Sequence, residues 1–196
     1  MIKKILKHTQ RLVLIALGIA SLYLINLFFM KPFSIDHYLG KELVFDLTGS
    51  PEELTYVGVL DSFNWLTRHN SKLSIPQDDD IENGIKHIEK VIKTLYKYDD
   101  SRLSDIQKNT KKIAIFDYEN QLKELQYFPY LDYPLNQIGG IHLNLIEFMN
   151  SVHPIRSKSE ANDFIKRTDL VKEVYQGTLN HLKDQAENGI YPPEFV

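Results

Sequence analysis

Nineteen consecutive positions, residues 12–30, carry no charged side chain. As an α-helix rising about 1.5 Å per residue, such a run covers roughly the 30 Å hydrocarbon layer of a bilayer. It has no polar face to turn toward water, so it must be buried in protein or in lipid. Lys3, Lys4, Lys7 and Arg11 precede it, and Lys31 and Pro32 follow. That asymmetry places the N-terminus in the cytoplasm and everything after Lys31 outside it. A cleaved signal peptide is the competitor, but its apolar core runs only about 7–15 residues and ends in a small-x-small site. Here the run ends in Phe28, Phe29 and Met30, and the small Ala20 and Ser21 lie inside it. An uncleaved transmembrane helix, with the lipid bilayer as partner of residues 12–30, is the preferred reading. A signal peptide ranks second and a buried soluble helix third.

Residues 1–31 thus form a basic end and anchor, and 32–196 a separate region. The hydrophobic fraction of 43% and charged fraction of 25% are those of a folded chain. Cysteine is absent, which excludes disulfides and thiolate metal sites. Removing the four N-terminal bases from 23 leaves 19 Lys and Arg against 26 acids, a formal charge of −7 after residue 11. With that sign and no basic stripe, nucleic acid is rejected as a partner.

The remainder reads as all-α, an irregular series of helices without an alternating strand pattern. Ser34 suits the cap of a helix from Ile35, with Leu39, Leu43 and Leu47 on its apolar side. Gly49-Ser50-Pro51 ends that helix and starts another, with Glu52 and Glu53 at its positive end. Residues 58–76 show no clear period; 61–68 fit a short helix and 69–72 a loop. After Asp78-Asp79-Asp80, Ile81, Ile85, Ile88, Ile92 and Leu95 recur at 4, 3, 4 and 3, the signature of one apolar helix face.

A second long helix spans about 103–126 and carries two stripes: Ile106, Ile113 and Phe116, then Ile115, Tyr118, Leu122 and Leu125. Such a helix is expected to be sandwiched between neighbours. Gly139-Gly140 supplies backbone freedom before a helix over 141–150. Ser157 with Glu160 matches a capping box. A last helix over 170–188 buries Val171, Val174, Tyr175, Thr178 and Leu182 and is closed by Gly189.

Chemistry is sparse. Of seven histidines, His37, His69, His87 and His181 fall at polar or exposed positions without a ligand-spaced partner. His142 lies in an apolar run, where a histidine bonded to a backbone carbonyl is expected, and His153 before Pro154 shapes a turn. No Gly-x-Ser-x-Gly, phosphate loop or Gly-x-Gly-x-x-Gly occurs. No catalytic or metal-binding residue is assigned. The polar groups that could line a groove are Asn136, Gln137 and His142.

Four blocks resemble, in order, the bacterial "domain of unknown function 885" family. They are Ser50-Pro51-Glu52-Glu53-Leu54-Thr55-Tyr56-Val57-Gly58, then Tyr133-Pro134-Leu135-Asn136-Gln137-Ile138-Gly139-Gly140, then His153-Pro154-Ile155 with residues 160–165, and finally residues 189–196. The likeness runs from about Ser34 to Val196, with Phe164 in place of the usual tyrosine and Glu194 in place of the usual basic residue. Full-length members look like zinc metallopeptidases with a His-Glu-x-x-Pro-Gly-His motif. That motif has no counterpart in this sequence, so zinc is expected only in full-length relatives and no cofactor in this chain.

The resemblance implies a membrane-anchored N-terminal segment of a metallopeptidase-like protein in the bacterial inner membrane, with residues 32–196 periplasmic. It is expected to be inactive alone, and its partner would be a C-terminal catalytic portion. The rival is a stand-alone membrane-anchored helical binding or scaffold module. Expressed without the anchor, the rival melts cooperatively as a monomer, whereas a segment in need of a partner aggregates or binds a hydrophobic dye.

Overall fold

The structure, a computed structural model, describes residues 2–130, 133–136 and 138–191, and among these it is all-α. Eight α-helices follow one another: α1 (Ile2–Phe29), α2 (Ile35–Gly49), α3 (Pro51–Val57), α4 (Asn64–Thr67), α5 (Asp80–Leu95), α6 (Asp105–Tyr127), α7 (Ile141–Glu147) and α8 (Lys158–Glu187). Short 3₁₀ turns flank α4 and precede α6, and a π-helical turn, Phe148–Val152, continues α7. The stretch of α1 from His8 to Phe29 is long and apolar enough to cross a membrane, and almost none of it is buried against the rest of the chain.

The elbow after α1 is tightly specified. Asn26, the polar residue near the end of the apolar run, donates to the Lys31 carbonyl (3.0 Å) and accepts from Phe33 N–H (3.0 Å). Tyr98 donates to the Pro32 carbonyl at 2.8 Å. Burial pushes the Tyr98 phenol up to about 12, so it stays a donor at neutral pH. Ser34 then caps α2, accepting from Asp36 N–H at 3.2 Å.

Two apolar clusters hold the body together. In the first, Ile35 and Tyr38 of α2 meet Val91, Leu95 and Tyr98, with Ile115 and Tyr118 of α6 behind them. The buried face of α2 is therefore Ile35, Tyr38 and Glu42, and the expected Leu43 is exposed. The α5 stripe inferred from its spacing faces inward, and Val91 joins it. Lys111 closes the α5–α6 connection, its buried amine donating to the Tyr98 carbonyl and Asp100, each at 2.7 Å. In the second cluster, Leu73, Leu145, Met149 and Val174 pack together with Phe148, Phe164 and Leu170.

Three expectations are corrected. Of the two α6 stripes, only the one with Ile115, Tyr118, Leu122 and Leu125 packs inward; Ile106, Ile113 and Phe116 are 79%, 68% and 68% exposed. Residues 158–187 form one uninterrupted helix, because nothing in Thr168-Asp169 forbids the turn; within it Val174 and Thr178 are buried, while Tyr175 is exposed. Only half of the capping box forms: Ser157 accepts from Glu160 N–H, but the Glu160 carboxylate accepts from Arg156 N–H instead of Ser157.

Gly177 has a specific steric task. A Cβ there would lie 2.5 Å from the Pro76 carbonyl oxygen, so only glycine lets the extended strap of residues 72–77 cross α8 this closely.

Replacing Leu95 with alanine is expected to cost about 2–5 kcal/mol, the range for emptying a packed core site. Ile113→Ser, on the uncovered stripe, should stay within about 0.5 kcal/mol. Urea unfolding of the full chain in detergent measures both; equal losses would show that the α6 stripe is covered.

Candidate functional site

Arg167 organises the centre of the region after α1. It sits on α8 in the inward stripe that also contains Asp163, Val174 and Thr178, and it is fully buried. Its guanidinium lies over the Phe148 ring, 4.8 Å from the centroid. Nε donates to the Lys72 carbonyl (2.8 Å) and Nη1 to His153 Nδ1 (2.8 Å). Nη2 reaches Thr55 Oγ1 (2.6 Å), the His69 carbonyl (2.8 Å) and the Pro51 carbonyl (3.3 Å). One planar fork thus ties α3, the strap, the turn after α7 and α8 together, which the point charge of a lysine could not do.

The fork fixes protonation states as well. Burial lowers the Arg167 pKa to about 10, with Glu52 and Asp163 opposing, so it remains charged at neutral pH. Because Nη1 donates to His153 Nδ1, that nitrogen carries no proton. Nε2 then donates to the Glu160 carbonyl at 3.2 Å, and the ring is neutral. Burial pushes the His153 pKa down, and the Arg167 charge adds to the effect.

Residues 58–76, the least legible stretch of the sequence, are held by side chains. Asn64 donates to Asp163 (3.0 Å) and accepts from Asn70 N–H (3.0 Å), while Thr55 Oγ1 offers its proton to Asn70 at 2.8 Å. Arg68 takes the left-handed conformation (φ 53°), a bend uncommon outside glycine, just before the carbonyl that His69 presents to Arg167. His69, expected at an exposed loop position, is buried; its ring pairs with Thr67 and Asp61.

Around this hub lies a groove of about 1050 Å³ between α3, the strap and residues 141–152. Its apolar floor is Ile141, Leu145, Phe148 and Val174. Glu52 fastens the opposite wall, accepting from Ser74 N–H (2.7 Å) and Ser74 Oγ (2.6 Å). Tyr56, Asn144 and Ser151 offer hydrogen-bonding groups, and Glu53 and Glu147 give the rim a negative charge. Asn144 uses its amide N–H on the Gly139 carbonyl (2.7 Å). Among the described residues, no three carboxylate or imidazole groups stand where they could share a metal ion.

Of the sequence-level candidates, Asn136 and His142 are not among the residues that line this groove. Asn136 Oδ1 accepts from Ile138 N–H (2.9 Å) and Gly139 N–H (2.7 Å), the work of a turn. Gln137 lies outside the described residues. His142 folds over Gly140, where a Cβ would meet its ring at 2.8 Å. Gly140 is thus needed for space rather than for a left-handed backbone. No bond from His142 to a backbone carbonyl forms among the described residues, and its buried Nδ1 is without a partner there. Arg167 has no role assigned to it from the sequence, although Phe164, Arg167, Leu170 and Val174 follow one another at spacings of 3, 3 and 4, which puts an arginine on an apolar stripe.

The family described as "Bacterial protein of unknown function (DUF885)" matches residues 51–196, and the chain belongs to it. The match begins at Pro51, so α1 and α2 lie ahead of it. No curated protein and no solved structure matches the chain.

Arg167→Lys leaves buried acceptors unmet and is expected to destabilise the chain by about 2–4 kcal/mol. His153 is held below its unfolded value of about 6.5, so the unfolded state takes up the proton first. Its contribution to stability is therefore full above about pH 6.5 and is lost as pH falls from there toward the depressed folded value. His153→Gln should flatten that part of the curve. Denaturant midpoints of both chains across this range check the pair of expectations.

Proposed function

We propose that this chain, as a member of that family, is the membrane-anchored part of a metallopeptidase-like protein and forms one wall of its substrate groove. No zinc centre belongs to this wall. In the full-length relatives that the sequence resembles, two histidines four apart on a helix bind zinc, and the glutamate between them serves as general base. Nothing in these 196 residues repeats that pattern. The chain alone is therefore inactive, and the wall's task is to hold substrate.

The single observation that carries this reading is the groove itself. Most of its lining falls within the family-matched residues 51–196, and it combines an apolar floor with a few placed polar groups, the make-up of ligand sites generally. An extended peptide fits such a surface, with apolar side chains on Leu145 and Phe148 and backbone groups against Asn144 and Ser151. The negative rim of Glu53 and Glu147 favours a peptide carrying positive charge. The uncovered α6 stripe supports dependence on a partner surface over a stand-alone scaffold.

The test is photo-crosslinking of a lysine-containing peptide with an apolar photoreactive side chain to the full chain in detergent, alongside zinc analysis and a cleavage assay. Adducts within residues 141–152, zinc well below one per chain and no cleavage are expected. A stoichiometric, histidine-dependent zinc titration, peptide hydrolysis, or adducts spread over other surfaces would overturn the reading.

A further inference from the structure

Where α1 ends, five lysines from three segments converge on its last turn. Lys31 follows the helix, Lys41 comes from α2, and Lys90, Lys93 and Lys97 come from α5 and the turn after it. They surround a cleft of about 370 Å³ whose other side is Phe28, Phe29 and Met30. The cleft opens into an apolar groove of about 590 Å³ walled by Tyr23, Leu27, Phe28, Val44 and Phe45. The two cavities share Phe28, Tyr38, Lys41 and Lys90.

Lysines on one side of an amphipathic helix are ordinarily a solvated face, and three observations set these apart. They gather at one place in a region whose formal charge is −7. Among the described residues, no ion pair engages Lys90, Lys93 or Lys97. The cleft also adjoins a groove for an apolar chain at the level where the uncharged run gives way to charge. The carboxylates nearby are already engaged: Glu42 lies 3.2 Å from Lys41 and 3.3 Å from His87, and Asp36 accepts from Gln107 at 2.7 Å.

We propose that this paired cleft and groove is a binding site for an anionic phospholipid of the membrane that α1 crosses. The headgroup phosphate sits among Lys90, Lys93 and Lys97, and one acyl chain lies along Tyr23, Leu27 and Phe45. Juxtamembrane lysines are each worth about 1 kcal/mol toward an anionic surface, roughly a fivefold change in binding. The bound lipid fixes the foot of α5 to the bilayer surface and so sets how the body stands on it. This inference rests on reading α1 as an anchor.

The full chain is reconstituted in nanodiscs of phosphatidylcholine alone or with a minority of phosphatidylglycerol, and lipid retained after detergent extraction is counted by native mass spectrometry. Phosphatidylglycerol should be retained roughly tenfold over phosphatidylcholine, and each of Lys90→Gln and Lys93→Gln should lower that preference about fivefold. Equal retention of both lipids, a preference untouched by either variant, or equal displacement by inorganic phosphate overturns the site. Both substitutions are on exposed helix positions, and an unchanged circular-dichroism melt shows that folding is intact. Carbonate extraction of membranes tests the anchor separately: a chain released by carbonate defeats the anchor reading, whereas a chain retained without lipid preference defeats this inference alone.

Discussion

A buried guanidinium that no carboxylate among the described residues contacts is the constraint on which the family-matched region rests. Burying a charge is costly unless its donors are all met. Here each of its three nitrogens is hydrogen-bonded, to three backbone carbonyls, a hydroxyl and an imidazole drawn from segments up to 116 residues apart. Carbonyls can be aimed only if the backbone that carries them is fixed. Arg167 therefore demands an ordered strap, an ordered turn at His69 and a neutral His153, and each of these demands further contacts with Asp61, Asn64 and Asp163. Apolar packing alone would leave residues 58–76 free to slide, because Val59, Phe63, Trp65 and Leu66 are exposed and Leu73 is the large apolar residue there that is buried. The polar network gives them one register, and the groove inherits its shape from that register.

Legibility in the sequence followed the kind of interaction. Apolar periodicity and capping chemistry revealed part of the outcome: the α5 stripe, the Ser34 cap, the proline start of α3 and the closing Gly189 stand where their types predict, whereas Leu43, one α6 stripe and half of the Ser157–Glu160 box do not. Long-range polar contacts decided the rest, and these leave no period. His69 reads as a loop histidine because its burial depends on α8, almost a hundred positions later. Asn144 and Ser151, which line the groove, have no local pattern to set them apart from any surface helix. Residues 141–152 as a segment were nonetheless identifiable, since an apolar run after a proline turn and paired glycines must pack on something. Which of its side chains face the groove depended on the helical phase and on the π turn, neither of which is encoded in composition.

The two cores meet the membrane question differently. The first cluster joins α2, α5 and α6 directly to the elbow after α1 through Asn26, Tyr98 and Pro32. An anchor joined by a flexible linker would leave the body free to rotate. An elbow closed by side-chain bonds at both Lys31 and Phe33 instead passes the direction of α1 into α2. Among the described residues the second cluster includes none from α1, and it carries the groove, so one layer intervenes between the groove and α1.

That layer sets a distance. α2 begins at the elbow and ends at Ser50, whose side chain caps α3, the helix that forms the groove's wall. Its fifteen residues span about 22 Å at 1.5 Å per residue. A helix of that length, packed along α5 by Ile35 and Tyr38, cannot shorten, and bending it would open the first core. The groove is therefore carried at a fixed reach from the end of the apolar run. The uncovered α6 stripe is built on the same rigid frame, since Ile115 and Tyr118 on its inner side belong to that first core. A partner seated on Ile106, Ile113 and Phe116 would thus be positioned against the same reference as the groove.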